Sequence, residues 1–372
     1  MPDDEWDAGD DEPDGWTTDP TPSTEADSRD GDAIARSPED ESGPGPNGQF
    51  DPIQRALGGH EDLYDVATWD VRTRLDRFAM RLTGGLRKAR KWSLISLAAL
   101  LFLAQSAVIV LFVIEEPVLG ALGAISVVPA LALTAYFWFE DPTRREPLEP
   151  MAITFLLSIL FASFAALVNT ALFPAFGIIP FIGLPLFFFL VVGPIEETVK
   201  WAAIRVHAYK DDRFDAVIDG VVYGAIAGLG FAAIENFIYI INIYSAAAPA
   251  GVTTQLESAE QTAYVRAFVG PGHVIYSAFA GYYLGLAKFN PDNRGPIVVK
   301  GLLIAVFIHA LYNTLVTILP LTRVTLAAFL LVYVGFWLGV LYRKVSRYKT
   351  YYRQAQDSAD ADVTTPDAGD GW

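Results

Sequence analysis

From residue 92 onward the chain alternates long apolar stretches with short polar breaks. Eight stretches can be read: Trp92–Ile114, Pro117–Phe139, Met151–Phe173, Ile178–Arg205, Val221–Ile243, Ala267–Ala287, Gly301–Pro320 and Val324–Tyr342. A helix rises 1.5 Å per residue, so about 20 apolar residues match a ~30 Å hydrocarbon core. Isolated strands would leave backbone groups unpaired in lipid, so the pattern predicts helices. The expected fold class is all-α: a polytopic integral membrane helix bundle of about eight transmembrane helices, filling residues 92–343. Residues 1–60 have no apolar period and are rich in Asp, Gly, Pro, Ser and Thr, which predicts a disordered acidic N-terminal tail. Over residues 61–91, Leu63, Val66, Val71, Leu75, Phe78 and Leu82 recur at helical spacing among arginines. This predicts an amphipathic, basic juxtamembrane helix on the membrane surface, or an ordinary linker helix. Residues 354–372 read as a second disordered acidic tail.

Charge sharpens this division. The chain of 372 residues carries −16, yet 52% of it is hydrophobic. Residues 1–70 alone carry −18, residues 71–353 carry +7, and five more aspartates follow in the C-terminal tail. The basic residues fall in alternate loops: before the first stretch, then at Arg144 and Arg145, Lys210 and Arg213, Lys288 and Arg294, and after the last at Arg343 to Arg353. This alternation predicts a multi-pass cell-membrane protein with both termini cytoplasmic. The lipid bilayer is the expected partner, and nucleic acid is not. Asp-rich, Lys-poor tails suggest a high-salt cytoplasm, as in halophilic archaea. The absence of cysteine excludes disulfides, thiolate metal sites and a cysteine nucleophile.

The first, second, third and eighth stretches contain no ionisable side chain of the Asp, Glu, Lys, Arg or His types. The four in between each contain at least one: Glu196, Glu197 and Lys200; Glu235 with Asn236; His273; and His309 with Asn313. An ionisable group near mid-bilayer costs at least ~2.5–3.5 kcal/mol, so it usually faces a bundle interior and serves a function. Four such helices in succession predict one shared polar site. Glu196 and Lys200 are four apart and can pair, whereas Glu197 lies ~100° round the helix and can point elsewhere. Gly220, Gly224 and Gly228, like Gly281 and Gly285, would let helix backbones approach closely.

A buried glutamate can take a proton from water that attacks a carbonyl, with histidine and asparagine donating to the oxyanion. Glu197, Glu235, His273 and His309 could instead ligate a divalent metal such as zinc, and composition leaves metal or no cofactor open. Other intramembrane chemistries fit badly. The His-Glu-x-x-His motif is absent, Gly228-Leu229-Gly230 is followed by Phe231 rather than Asp, and Ser277 lacks a glycine frame.

Gly193-Pro194-Ile195-Glu196-Glu197-Thr198-Val199-Lys200 resembles the Glu-Glu-x-x-Lys motif of the PrsW family of intramembrane proteases. Gly230-Phe231-Ala232-Ala233-Ile234-Glu235-Asn236 resembles that family's Phe-x-x-x-Glu-Asn motif. His273 after Gly270-Pro271-Gly272, and His309-Ala310-Leu311-Tyr312-Asn313, look like its later histidine positions. The related type II CAAX prenyl endopeptidases have histidine where Glu235 stands, so the PrsW branch fits. The resemblance covers roughly Met151–Pro320. It implies hydrolysis of a peptide bond in or beside the membrane, in a membrane-anchored protein substrate and in regulated proteolysis signalling. Glu196 or Glu197 would be the base, Lys200 would set its charge, and Glu235, Asn236, His273, His309 and Asn313 would be further catalytic groups. Two rivals use the same cluster: a proton-coupled transporter, and a non-catalytic scaffold whose acidic tail recruits partners.

Overall fold

The computed structural model describes residues 51–57, 61–86 and 92–364. The tail expectations for 1–50, 58–60 and 365–372, and the basic run at 87–91, lie outside the described residues. The chain folds as α1 (Pro52–Leu57), α2 (Arg74–Leu86), α3 (Trp92–Glu115), α4 (Pro117–Phe139), α5 (Leu148–Gly177), α6 (Gly183–Phe187), α7 (Gly193–Val206), α8 (Asp219–Ala246), α9 (Val252–Lys288), α10 (Arg294–Ile318) and α11 (Arg323–Thr364). Among the described residues the strand-like pairing is a single bridge, Tyr64–Thr68. Among the described residues five helices, α4, α5, α8, α10 and α11, are long and apolar enough to cross a membrane, and α3 adds an apolar stretch over Phe102–Glu115. Leu103, Leu111, Ile125, Leu131, Leu156, Val332 and Phe336 point outward from these helices, as a lipid-facing belt requires.

α8 is the axis of the bundle: 72% of its apolar window is buried, against 17% for α11. Its partner is α9, and the close approach follows from glycine. A Cβ at Gly224 would overlap the Ser277 carbonyl, and one at Gly228 would overlap the His273 carbonyl. Without those methyls the two backbones touch, which brings Glu235, two turns beyond Gly228, alongside His273.

Four expectations change. The fourth stretch is not one straight helix: Phe188–Val192 forms a π-turn between α6 and α7. Pro194 sits in the first turn of α7, where its missing N–H costs nothing to a new helix but interrupts a continuing one. The gap between the stretches ending at Ile243 and beginning at Ala267 is largely helical, because α9 begins at Val252 and runs for 37 residues. The juxtamembrane helix begins only at Arg74, and the segment before it is not helical. That segment buries Leu63, Val66, Ala67 and Trp69 against protein, so these apolar residues are not available to lipid. Finally, both tails are ordered for longer than expected. α1 lies inside the expected N-terminal tail with Ile53 fully buried, and α11 continues past residue 353 to Thr364.

The alternate loops gather at one end of the bundle. There the Tyr348 hydroxyl donates to Asp51 Oδ2 at 2.8 Å, which also accepts Val217 N–H at 3.2 Å. Lys344 Nζ meets Asp65 Oδ2 at 2.7 Å, while Lys300 Nζ meets Asp65 at 3.3 Å and Asp76 at 3.1 Å. Lys349 Nζ meets Glu140 at 2.7 Å. The bonds of Asp51, Asp65 and Asp76 clip the N-terminal segment to the turn before α8, to α10 and to α11, while Lys349 ties α11 to the end of α4.

Candidate active site

The π-turn sets Glu196 and Glu197 at the end of the first turn and the start of the second turn of α7, facing α5, α9 and α10. Their side chains take different roles in the geometry. Glu197 is fully buried and saturated: its Oε1 accepts from Lys200 Nζ at 2.7 Å and lies 2.9 Å from His309 Nδ1, and Ser277 Oγ is 3.5 Å from its Oε2. Lys200 thus pairs with Glu197, three residues away, and not with Glu196 as the four-residue spacing had suggested. Lys200 Nζ also lies 3.0 Å from His273 Nδ1 and 4.2 Å from the centre of the Phe231 ring.

Glu196 is the less satisfied carboxylate. Its Oε1 accepts from Asn169 Nδ2 at 3.0 Å. Its Oε2 is buried without a hydrogen-bond partner and lies 3.7 Å from His309 Nε2. On the opposite wall, His273 Nε2 is 2.8 Å from Glu235 Oε2, and the same oxygen is ion-paired to Arg266. Arg266 Nε donates to Asn236 Oδ1 at 2.8 Å, and Asn236 donates in turn to Ser126 Oγ at 3.0 Å. The His309 ring stacks on Tyr276, with centroids 5.1 Å apart, and meets His273 edge-on at 5.2 Å.

Six of the eight residues expected at the site therefore form one linked cluster: Glu196, Glu197, Lys200, Glu235, His273 and His309. Asn313 lines the cavity beside it. Asn236 is fully buried behind the cluster, where it braces Arg266 instead of facing the cavity. The groups that could hold a metal also differ from the expected four. One atom each from Glu196, His273 and His309 lie within 4.8 Å of one another. Glu197 is instead turned onto Lys200 and the far nitrogen of His309, and Glu235 onto Arg266 and His273.

Two participants were missed. Asn169 lies in the third stretch, which looked inert because only ionisable groups were tallied there; an amide deep in an apolar run was the signal. Arg266 falls in the sequence just before the sixth apolar stretch, outside it. It is in fact four turns inside α9 and buried.

The cluster forms the floor of a cavity of about 810 Å³. Glu196, Glu235, Arg266, His273 and His309 border it, and its walls run along α8, α9 and α10 to Asn242, Ser258 and Thr317. Those last residues lie toward the end of the bundle opposite the basic loops. A buried carboxylate with an unpaired oxygen, two imidazoles and a bounded water space is the equipment of a hydrolase.

Several membrane-length helices around this site define a multi-pass membrane hydrolase. Comparison with known proteins makes the class specific: residues 146–340 match the family described as PrsW family intramembrane metalloprotease, and the chain belongs to that family. It is a membrane protease, similar to proteins named Protease PrsW. That of Geobacillus kaustophilus is 30% identical over 61% of this chain and 92% of its own length. That of Halalkalibacterium halodurans is 31% identical over 51% and 80%, and that of Bacillus subtilis 29% over 52% and 81%. No solved structure matches the chain significantly.

Proposed function

We propose that the protein is an endopeptidase that cuts a membrane-anchored protein substrate in or near the bilayer, with Glu196 at the attacking water. The observation that carries this is the free Glu196 Oε2, buried, unpartnered and bordering the cavity. Glu197 serves a different end. Ionised beside Lys200 and bonded to His309 Nδ1, it fixes the His309 ring so that Nε2 faces Glu196. Arg266 holds Glu235 against His273, which gives that imidazole a fixed orientation and a proton partner. Asn313 and His309 are one helical turn apart on the cavity side and can donate to a developing oxyanion.

The donor set also fits a divalent metal. Glu196, His309 and His273 are two imidazoles and a carboxylate, a combination that suits zinc, and the first two each turn a free ligand atom toward the other. His273 engages protein groups with both nitrogens, so its Glu235 contact would have to yield. When bound, such a metal would polarise water and the scissile carbonyl. The chain's own residues would still orient His309 through Glu197 and carry the proton away through a carboxylate.

The gathering of basic loops at one end supports both termini being cytoplasmic, with the cavity reached from the other side. The family resemblance supports a role in signalling by regulated proteolysis. The test uses protein reconstituted in lipid with a membrane-anchored substrate, together with elemental analysis. Glu196→Gln should lower kcat about 10²–10⁴-fold and His309→Ala should remove bound zinc. Full activity in Glu196→Gln would overturn the assignment. Zinc-free wild type with full activity would leave Glu196 as the base without metal.

A further inference from the structure

A second group of carboxylates lies at the basic-loop end of the bundle, away from the catalytic pocket. One oxygen each from Asp141, Glu146 and Asp219 lie within 4.8 Å of one another. Glu146 and Asp219 are buried. Each carboxylate is anchored by one oxygen and aims the rest inward. Asp219 Oδ2 accepts the N–H groups of Asp215 at 2.7 Å and Ala216 at 2.8 Å. Asp141 Oδ1 accepts from Thr143 N–H at 2.8 Å and Thr143 Oγ1 at 2.7 Å. Glu146 Oε2 accepts the Tyr223 hydroxyl. What remains is the independent sign of a ligand: Asp219 Oδ1, on a fully buried side chain, and Asp141 Oδ2 are both buried without any hydrogen-bond partner.

Among the described residues no lysine, arginine or histidine forms an ion pair with any of the three. Lys349 is committed to Glu140, Lys288 to the Asp211 carbonyl and Arg213 to Asp211, while Arg144 is exposed. Three converging carboxylates with no ion-paired partner among the described residues repel one another. Hard oxygen donors of this kind select calcium or magnesium over zinc.

We propose that Asp141, Glu146 and Asp219 form a binding site for a hard divalent cation, Mg²⁺ or Ca²⁺, that ties the α4–α5 connection to the start of α8. The cation would neutralise the cluster and lock the base of the helix whose far half carries Glu235. The site is distinct from the catalytic group and does not depend on its assignment.

Terbium offers a direct probe, since the Trp138 indole N–H donates to the Glu146 carbonyl at 2.9 Å and so lies beside the site. Chelator-treated full-length protein in detergent should show tryptophan-sensitised Tb³⁺ emission that CaCl₂ or MgCl₂ competes away and matched NaCl does not. Asp141→Asn combined with Glu146→Gln should abolish the emission, and Glu196→Gln at the catalytic cluster should leave it unchanged. Trp138→Phe should lose emission yet keep calorimetric binding of CaCl₂ or MgCl₂. Wild type that binds neither Tb³⁺, CaCl₂ nor MgCl₂ would overturn the proposal and leave a proton shared among the carboxyls. Emission lost in Glu196→Gln but kept in the double variant would assign the ion to the catalytic cluster and also overturn it.

Discussion

Two networks of buried charge organise this molecule, and they are built to opposite ends. At the base, Lys300 and Lys344 lie among Asp65, Asp76 and the Tyr64 hydroxyl, and Asp76 also accepts the Thr73 and Arg72 N–H groups. In this network each lysine is paired with a carboxylate, and Asp76 Oδ1, which accepts no hydrogen bond, still lies 3.1 Å from Lys300 Nζ. In the pocket, Glu197, Lys200, His273, Glu235 and Arg266 are joined just as tightly, but Glu196 Oε2 and Asn169 Oδ1 are left without partners beside 810 Å³ of open space. Burying charge serves stability only when every group is satisfied. An unsatisfied member kept next to a water space marks the region that works on something other than the protein itself.

The comparison can be broken most sharply at Arg266. Replacing it with Gln frees Glu235 and Asn236 together, so kcat should fall about 10²-fold, as for loss of a positioning charge pair. The melting temperature should fall less than for a comparable change at the base, because Glu235 borders the cavity and water can solvate it once unpaired. Turnover and melting measured on the same reconstituted sample check both halves. A variant that melts much lower with undiminished kcat would make Arg266 part of the structural network instead.

Lys300→Met tests the other side. Removing one partner of a buried pair costs roughly 3–5 kcal/mol, because Asp76, fully buried, is left uncompensated. For a chain of this size that is a fall of roughly 4–6 °C in melting temperature. The kcat of the protein that remains folded should change less than about twofold. Adding Asp76→Asn should recover part of the loss, since it removes the stranded charge. If Lys300→Met abolishes turnover without lowering the melting temperature, the two networks are not separable.

How much of this was legible beforehand depends on scale. Helix positions follow from runs of apolar residues, and the cluster follows from ionisable residues in four successive runs, because lipid makes both features costly to place at random. Finer assignments failed where tertiary contacts decide. Four-residue spacing favours Glu196 as the partner of Lys200, and only the packing of α10, which brings His309 onto Glu197, assigns the lysine to Glu197. Arg266 falls outside the apolar stretches, because the polar start of α9 has the composition of a loop until its packing against α8 is known. The N-terminal segment was misread for a related reason: Leu63, Val66 and Trp69 do show helical spacing, yet they bury against the bundle without forming a helix. Asp51 and Ile53, in a tail of acidic composition, carried no local sign that Tyr348 and Val217 would hold them.

That N-terminal clip gives the smallest of the expected effects and the one most specific to pH. Burial pushes the Asp51 carboxyl up from 3.8 to about 6, although hydrogen bonds from Tyr348, Ile53 and Val217 pull the other way. The folded state therefore holds a proton that the unfolded state releases between about pH 4 and 6. Stability from this group is present below pH 4 and is lost as pH rises through 6, by roughly 2–3 kcal/mol. Asp141 and Glu146 are raised in the same direction, so the wild-type curve alone mixes several groups. The difference between wild type and Asp51→Asn isolates the clip. Asn cannot ionise, so the variant should gain melting temperature on wild type by a few degrees between pH 4.5 and 7, while its turnover relative to wild type stays flat across that range. A difference that does not change with pH would mean that Asp51 is ionised throughout and that the clip is held by charge, not by a shared proton.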